Sequence, residues 1–244
     1  GGRVSDLSTL YPSYKAGSHL IENKVKQLEE LGVKVYTDTE ISEVNGFVGN
    51  FEVTLKSGTE QLDHAEPLKV GAIVVATGAN LYHPERGENG FGIFTNVFSN
   101  EQFEELIWRG KHLEIDGKKP KTVVYIQCVG SRNPKGNPGC SRYCCQAAIK
   151  QAIALRKMGI QVIILHRGIR VYSRGAEEMY RDARGMGVLF IPYSFDKPPQ
   201  FIGKKKASSI VVEHAKTQAI IEFPADAIVL SLGMVPREPE SSYI

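Results

Sequence analysis

The sequence predicts an α/β fold arranged as two lobes, and three observations carry that reading. Residues 122–166 run strand, loop, helix, strand, the pattern of a parallel sheet with a crossover helix. Two nearly continuous apolar runs, VGAIVVATG and ADAIVLSLG, read as strands covered on both faces, and each closes on a small-residue turn at Gly78 and Gly233. All four cysteines of the 244 residues, Cys128, Cys140, Cys144 and Cys145, fall within eighteen positions, spaced C-x11-C-x3-C-C. Scattered core cysteines would not collect in one loop. Four thiolates is also the number that ligates an iron–sulfur cluster or a tetrahedral zinc ion.

The elements follow in order. After a loop-like start, Ile21, Val25, Leu28 and Leu31 keep helical spacing over 18–31, and Gly32 stops the helix. VKVYT reads as a short strand. Residues 40–68 read as antiparallel strands, with Ser57-Gly58 as a hairpin turn. Then comes the apolar strand that ends at Thr77-Gly78. Residues 83–100 form a Gly- and Pro-bearing connection, and SNEQFEELIWRG a short helix with Ser99 as N-cap and Gln102 three residues on. TVVYIQC is a buried strand, followed by the cysteine loop, a helix over 142–158 and the strand IQVIILH. A helix over 175–186 precedes the strand VLFIP. FDKPPQFIGKKK is a turn-rich break, SIVVEHA and QAIIEFP make an antiparallel pair, and ADAIVLSLG closes the fold.

Composition narrows the function. A hydrophobic content of 42% with 23% charged residues is ordinary for a globular protein. A net charge of +3 gives no case for nucleic acid or a membrane surface. The apolar runs are too short to span a bilayer, and the opening GGRVSDL has no signal-peptide pattern, so a cytoplasmic setting with reduced thiols is expected. There, clustered cysteines point to a metal site or redox chemistry. The loop from Val129 to Gly139 holds three glycines and two prolines, enough to fold back on itself. On a regular helix Cys145 would point about 100° away from Cys144, so CSRYCC must depart from helix if all four thiols meet. Arg132, Lys135, Arg142 and the helix start are expected to lower the thiol pKa values. The six histidines are dispersed, and no G-x-S-x-G, H-E-x-x-H or Walker motif occurs.

VGAIVVATGA followed by DAIVLSLGMVP resembles the two-dinucleotide-fold flavoproteins related to thioredoxin reductase. Within them, IQCVGSR…CSRYCCQAAIKQA and RGAEEMYRDARGMGVLFIP resemble the A-subunits of heterodisulfide reductases, and NGFVGNFEVTL fits the same family over almost the whole chain. The resemblance implies an FAD/NAD(P)-binding Rossmann-like, three-layer fold. It implies an oxidoreductase that carries FAD and iron–sulfur clusters and exchanges electrons with other reductase subunits and with ferredoxin-like or hydrogenase-type carriers. It makes Cys128, Cys140, Cys144 and Cys145 the ligands of a [4Fe–4S] cluster. It places Ala76, Thr77 and Gly78 against FAD, Gly233 near the flavin, Gly1 and Gly2 at the glycine pair after the ribose-binding acid, and the backbone of Ile41 near adenine. No side chain is expected to act as a general acid or base.

The departures shape the expectation. No G-x-G-x-x-G occurs, so the first FAD-binding β-α-β unit is missing from this chain, which is expected to be part of a longer protein. The lobes are expected at residues 1–112 with 225–244, for what remains of the FAD lobe, and at 118–224 for the lobe with the cysteines. The cysteine loop stands where a nucleotide fingerprint would follow the second lobe's first strand, so nicotinamide is not expected there. Two other readings stay open: an interaction module stabilised by zinc or by no cofactor, and a thiol-based disulfide reductase acting through Cys144 and Cys145. Self-association is also left open.

Overall fold

The computed structural model describes residues 2–11, 14–57, 66–109 and 113–236. The described residues divide into two units, one drawn from 22–80 with Pro236 and one from 2–21 with 81–235.

The smaller unit is entered by α1 (Gly17–Glu30). The helix stops as expected at Gly32, whose φ of 65° only glycine adopts freely. The Gly32 N–H bonds the Glu29 carbonyl and the Val33 N–H bonds that of Leu28, the paired closure of a Schellman end. Strands β1 (Thr39–Phe47), β2 (Asn50–Ser57) and β3 (Leu68–Val70) form an antiparallel sheet in that order. The hairpin turns at Val48-Gly49, between the paired Phe47 and Asn50. A Cβ on Gly46 would collide with the Asn50 carbonyl oxygen, so the tight turn requires a glycine there. The Ser57-Gly58 turn read from the sequence is not the one joining β1 to β2, and Gly58 lies outside the described residues.

Two expected strands are absent from this unit. Residues 33–36 form no strand, and neither does the AIVVATG run, residues 72–78. Val74 is 87% exposed and Val75 60%. An apolar run holds as a central strand only between two hydrogen-bonded neighbours. No described strand of the unit pairs with it: the ladder with β2 ends at Val70.

The larger unit contains the short β4 (Asn80–Leu81), then β5 (Val97–Ser99), α2 (Asn100–Arg109), β6 (Thr122–Val129), α3 (Cys144–Lys157), β7 (Gln161–His166), α4 (Ala176–Gly185) and β8 (Leu189–Pro192). It ends with β9 (Gln200–Gly203), β10 (Ala207–Glu213), β11 (Ile220–Pro224), β12 (Ala227–Leu232) and β13 (Met234–Val235). Five strands make a parallel sheet in the order β5-β12-β6-β7-β8. Side chains alternate across β6: Val123 and Tyr125 join the core with Ile149, Ala152 and Met179 of the helices, while Val124 and Ile126 join Ile210 and Val212 of β10. The layers are therefore helices, parallel sheet and the antiparallel sheet β11-β10-β9, which explains why β6 and β12 are buried along their whole lengths. The turn-rich stretch 195–206 contributes β9, an edge strand not read from the sequence.

This division falls elsewhere than the expected boundaries. The segment from 225 onward is expected with the first lobe, yet Ile228 of β12 pairs with Val124 of β6, and Val97 of β5 pairs on the other side of β12. A strand buried on both faces joins the sheet whose edges it can bond, whatever its distance along the chain.

Ser99 and Gln102 form the expected capping box of α2: the Gln102 N–H donates to Ser99 Oγ at 3.0 Å and the Ser99 N–H to Gln102 Oε1 at 2.8 Å. One turn on, buried Glu104 meets Lys150 of α3 at 2.7 Å. Ser8 donates to the same carboxylate from N–H and hydroxyl, Gln151 donates at 2.6 Å, and Lys150 also donates to the Thr9 carbonyl. This network ties the amino-terminal segment to α2 and α3. Burial by itself would raise the Glu104 pKa, but the Lys150 ammonium and the hydrogen bonds outweigh it and hold it below the ordinary value of 4.5. Replacing Glu104 with alanine is expected to cost about 3–5 kcal/mol, read by urea denaturation, because it strands Lys150. Since the folded-state pKa is depressed, the contribution is complete above the unfolded-state pKa and is lost as pH falls through the folded one. Glu104→Gln should accordingly flatten the acid limb of the stability curve, and an unchanged acid limb would overturn this account.

Candidate functional site

Cys128 stands at the carboxyl end of β6, the side of a parallel sheet where ligands sit. Its position depends on a register slip. Leu230 of β12 lies opposite Ile126, but Leu232 lies opposite Val129, so β6 carries one residue more than β12 over this stretch. The surplus is a bulge, and Cys128 sits in it with φ 67°. A bulge re-aims side chains at a strand end, and a non-glycine residue with this φ is held there by its surroundings.

The loop then returns on itself, in keeping with its glycines and prolines. The Arg132 N–H bonds the Gly139 carbonyl at 2.8 Å and the Asn133 N–H that of Asn137 at 2.7 Å. Asn133 and Asn137 brace the tip through their own side-chain oxygens. This small excursion delivers Cys140 back to the strand end it left. Arg142, with φ 63°, breaks the chain direction again, and the helix begins only at Cys144. Residues 140–143 thus leave the helix, while Cys144 and Cys145 are consecutive within it and keep their offset of about 100°. Cys144 and Cys145 open the first turn of α3; both are buried, as is Cys128, while Cys140 is half-buried.

Several groups that sequence reasoning did not single out hold this loop. The Arg167 guanidinium, just beyond β7, donates to the carbonyls of Cys128, Ser131 and Arg132 at 2.7, 2.8 and 3.1 Å. The Tyr143 hydroxyl donates to the Leu232 carbonyl at 2.8 Å, and the Met234 N–H to Ser141 Oγ at 2.8 Å. Tyr82 covers Gly130 so closely that a Cβ there would overlap the ring. The only sequence signal for Arg167 was its place at the carboxyl end of a parallel strand.

The expectation that basic neighbours lower the thiol pKa values is overturned at two positions. Burial first, then the neighbouring Cys145 and Cys128, pushes Cys144 up to about 12. Burial pushes Cys145 up to about 11; Cys128 and Cys140 add to this, and a backbone hydrogen bond from Arg170 and the Arg132 charge only partly offset it. Desolvation and mutual repulsion win at Cys144 and Cys145 because the nearby cations offset them only in part. Arg142 stacks on Tyr172, 4.3 Å from its ring centre. Arg132 Nη1 bonds the Gly168 carbonyl at 3.1 Å and lies 4.0 Å from Cys128 Sγ.

The donor set suits a metal cluster in number and in softness: four thiols that feel one another's charge in a buried loop. Among the described residues, however, no group of three or more His, Cys, Asp or Glu is arranged to hold a metal ion. All four cysteines are free thiols.

The positions implied for FAD divide between the units. Ile41, Ala76, Thr77 and Gly78 belong to the smaller unit, Gly2 and Gly233 to the larger; Gly1 lies outside the described residues. Ile41 stands at the register shift of β1. Gly78, with φ 78°, faces open space, so it is required by conformation and not by crowding. Gly233 is different: a Cβ there would lie 2.9 Å from both the Gly130 carbonyl oxygen and Ser131 Cβ, and its N–H bonds the Val129 carbonyl at 2.7 Å. Close approach of the cysteine loop is by itself enough to require this glycine.

No family model matches the chain. It is 37% identical over 183 residues to the A-subunit of the H(2):CoB-CoM heterodisulfide,ferredoxin reductase of Methanothermobacter marburgensis, a match that covers 70% of this chain and 27% of that protein. It is 27% identical over 324 residues to an iron-sulfur A-subunit of the CoB--CoM heterodisulfide reductase of Methanopyrus kandleri, covering 98% of this chain and 49% of that protein. The chain belongs to the family of heterodisulfide reductase A-subunits. It spans about half the length of the curated relatives that it matches along nearly its whole length. The fold of this member is that of the thioredoxin reductases. The Lactococcus lactis enzyme superposes with a TM-score of 0.54 at 20% identity, over 97% of this chain and 67% of that one. The T. acidophilum thioredoxin reductase superposes with a TM-score of 0.52 at 14% identity over the same shares. No helix among the described residues is long and apolar enough to cross a membrane.

With thiol pKa values near 12 and 11, Cys144 and Cys145 of the metal-free protein are expected to stay protonated and resist iodoacetamide at pH 8 in the native state, yet to alkylate fully in urea. Mass spectrometry of the two states checks this; rapid native alkylation at either position would contradict it.

Proposed function

We propose that this chain is the electron-transfer part of a heterodisulfide-reductase-like oxidoreductase, in which Cys128, Cys140, Cys144 and Cys145 hold a [4Fe–4S] cluster. The observation that carries the reading is the path of the loop. A bulge at Cys128, a closed excursion from Arg132 to Gly139 and a break at Arg142 bring the cysteines to one strand end and one helix start. The names of the relatives, iron-sulfur subunits of heterodisulfide reductases, support it. When bound, the cluster would supply one-electron relay, coupled to two-electron chemistry at FAD.

The chain's own residues have three tasks in this reading. The cysteines would hold the iron as thiolates, with their protons released to solvent: thiolates that repel one another become compatible once a cation offsets them. Arg167 holds the carbonyls of the loop, and with Arg132 it sets positive charge beside Cys128. Burial of Cys144 and Cys145 excludes water, which together with hydrogen bonds to sulfur would tune the potential. FAD is proposed as a second cofactor, and Gly1, Gly2, Ile41, Ala76, Thr77, Gly78 and Gly233 are its candidate contact positions. The proposed partners are the other reductase subunits and ferredoxin-like or hydrogenase-type carriers, in the cytoplasm; the relatives' names speak of subunits and of ferredoxin. The raised pKa values of Cys144 and Cys145 argue against a thiol-exchange reductase, which needs a thiolate near neutral pH.

Iron and acid-labile sulfide measured after anaerobic reconstitution test the proposal. About four of each per chain, with a broad brown absorption bleached by dithionite, are expected. Cys128→Ser and Cys144→Ser should each lower the iron content. Stoichiometric zinc in place of iron, or no iron in a chain whose circular dichroism shows it folded, would overturn the reading.

A further inference from the structure

The outer edge of β8 carries a feature that the cysteine site does not use. β8 closes one side of the parallel sheet, and no described strand pairs with its outer edge. The Tyr193 N–H points inward to the His166 carbonyl, whereas the Pro192 carbonyl points outward and accepts from the Ala215 N–H. Backbone direction alternates along a strand, so Phe190, two residues before Pro192, turns its own N–H and carbonyl outward as well. Proline has no N–H and the Pro192 carbonyl is taken, so an incoming extended chain would pair with this short edge through Phe190.

Beside this edge runs a cleft of about 920 Å3. Arg132, Arg167, Arg184 and Lys216 line it, together with Tyr180 and Phe190, and no carboxylate does. The two rings meet edge to face at 4.7 Å, and the Arg184 guanidinium lies over Tyr180. Arg184 and Lys216 are exposed, and neither makes an ion pair among the described residues. They stand at opposite ends of the strand. Arg184 follows Ala183, whose carbonyl accepts from Val188 just before β8, and Lys216 follows Ala215, which bonds Pro192 at its end. Four residues of strand span roughly 13 Å, farther than one phosphate group bridges.

We propose that the β8 edge and its cleft receive an extended, acidic segment of a partner protein, which adds a strand through the Phe190 backbone and lays carboxylates against Arg184 and Lys216. Main-chain bonds supply the affinity and the charges supply the choice of partner. Arg132 and Arg167, which brace the cysteine loop, also line the cleft, so a protein seated here lies beside the proposed electron relay. The surface is defined without reference to a bound cluster, and its failure would leave the cluster reading untouched.

The test uses the whole chain and a fluorescent peptide in which glutamate alternates with valine, titrated by anisotropy at low salt and followed by amide hydrogen exchange. Saturable binding, slowed exchange of the Phe190 amide and a loss of at least about tenfold in affinity in the Arg184→Glu/Lys216→Glu double variant are expected. Lys216→Glu alone, at an exposed turn, should give part of the loss, and it keeps the test decisive if the double variant does not fold. Equal affinity for the charge-reversed variants, equal affinity for a lysine–valine peptide, or binding that leaves Phe190 unprotected would each overturn the proposal. So would displacement of the peptide by an equal concentration of inorganic pyrophosphate, which would mark a small-anion site instead.

Discussion

One surplus residue in β6 relative to β12 governs the geometry of the site. The pairing of these strands is the centre of the parallel sheet, and side chains buried on both faces fix it, Val124 and Ile228 on one and Tyr125 and Val229 on the other. A register error anywhere along it would expose a face of the core. The mismatch is therefore forced to the carboxyl end, where the bulge at Cys128 absorbs it. The same end brings Gly233 against Gly130 and Ser131, so the return of the cysteine loop and the exit of β12 are packed as one unit. Core packing, and not the loop's own preference, decides where the first thiol stands.

The loop also shows two electrostatic demands in conflict. Folding buries three of the cysteines, which favours neutral thiols, whereas metal ligation needs thiolates. The chain resolves this only in part with nearby cations: Arg132 reaches Cys128 Sγ at 4.0 Å, whereas Arg167 directs its donors at backbone carbonyls and Arg142 lays its face on Tyr172. Those arginines secure the shape of the loop and leave the rest of the charge compensation to whatever the thiols bind. A dithiol catalyst would be expected to show the opposite arrangement, with cations pointed at sulfur.

The larger unit thus carries its features along one margin. The carboxyl ends of β6, β7 and β12 frame the cysteines, and the loop after β7 provides both the brace of that site and part of the wall of the cleft beside β8. The sheet supplies rigidity, and the loops at its carboxyl end carry the chemistry, the usual division of labour in parallel α/β folds. The Glu104–Lys150 network does comparable work half-way along α3, where it anchors the chain's amino-terminal segment against the helices.

Local chemistry in the sequence by itself determined the stop of α1 at Gly32, the capping box at Ser99 and Gln102, the apolar strands β6, β7 and β12, the fold-back of the glycine- and proline-rich loop, and the need for CSRYCC to leave the helix. Each of these depends on residues only a few positions apart. The tertiary structure decided what depends on neighbours distant in sequence. AIVVATG is as apolar as AIVLSL, yet only the latter finds strands on both edges, and so only the latter forms a strand. The thiol pKa values likewise follow from burial and from the repulsion among the cysteines, which no count of nearby arginines in the sequence conveys. Arg167 and Tyr82 became part of the site because the sheet order places their strand ends beside Cys128, and that order is set by the burial of whole strands, a property of the assembled core and not of any segment alone.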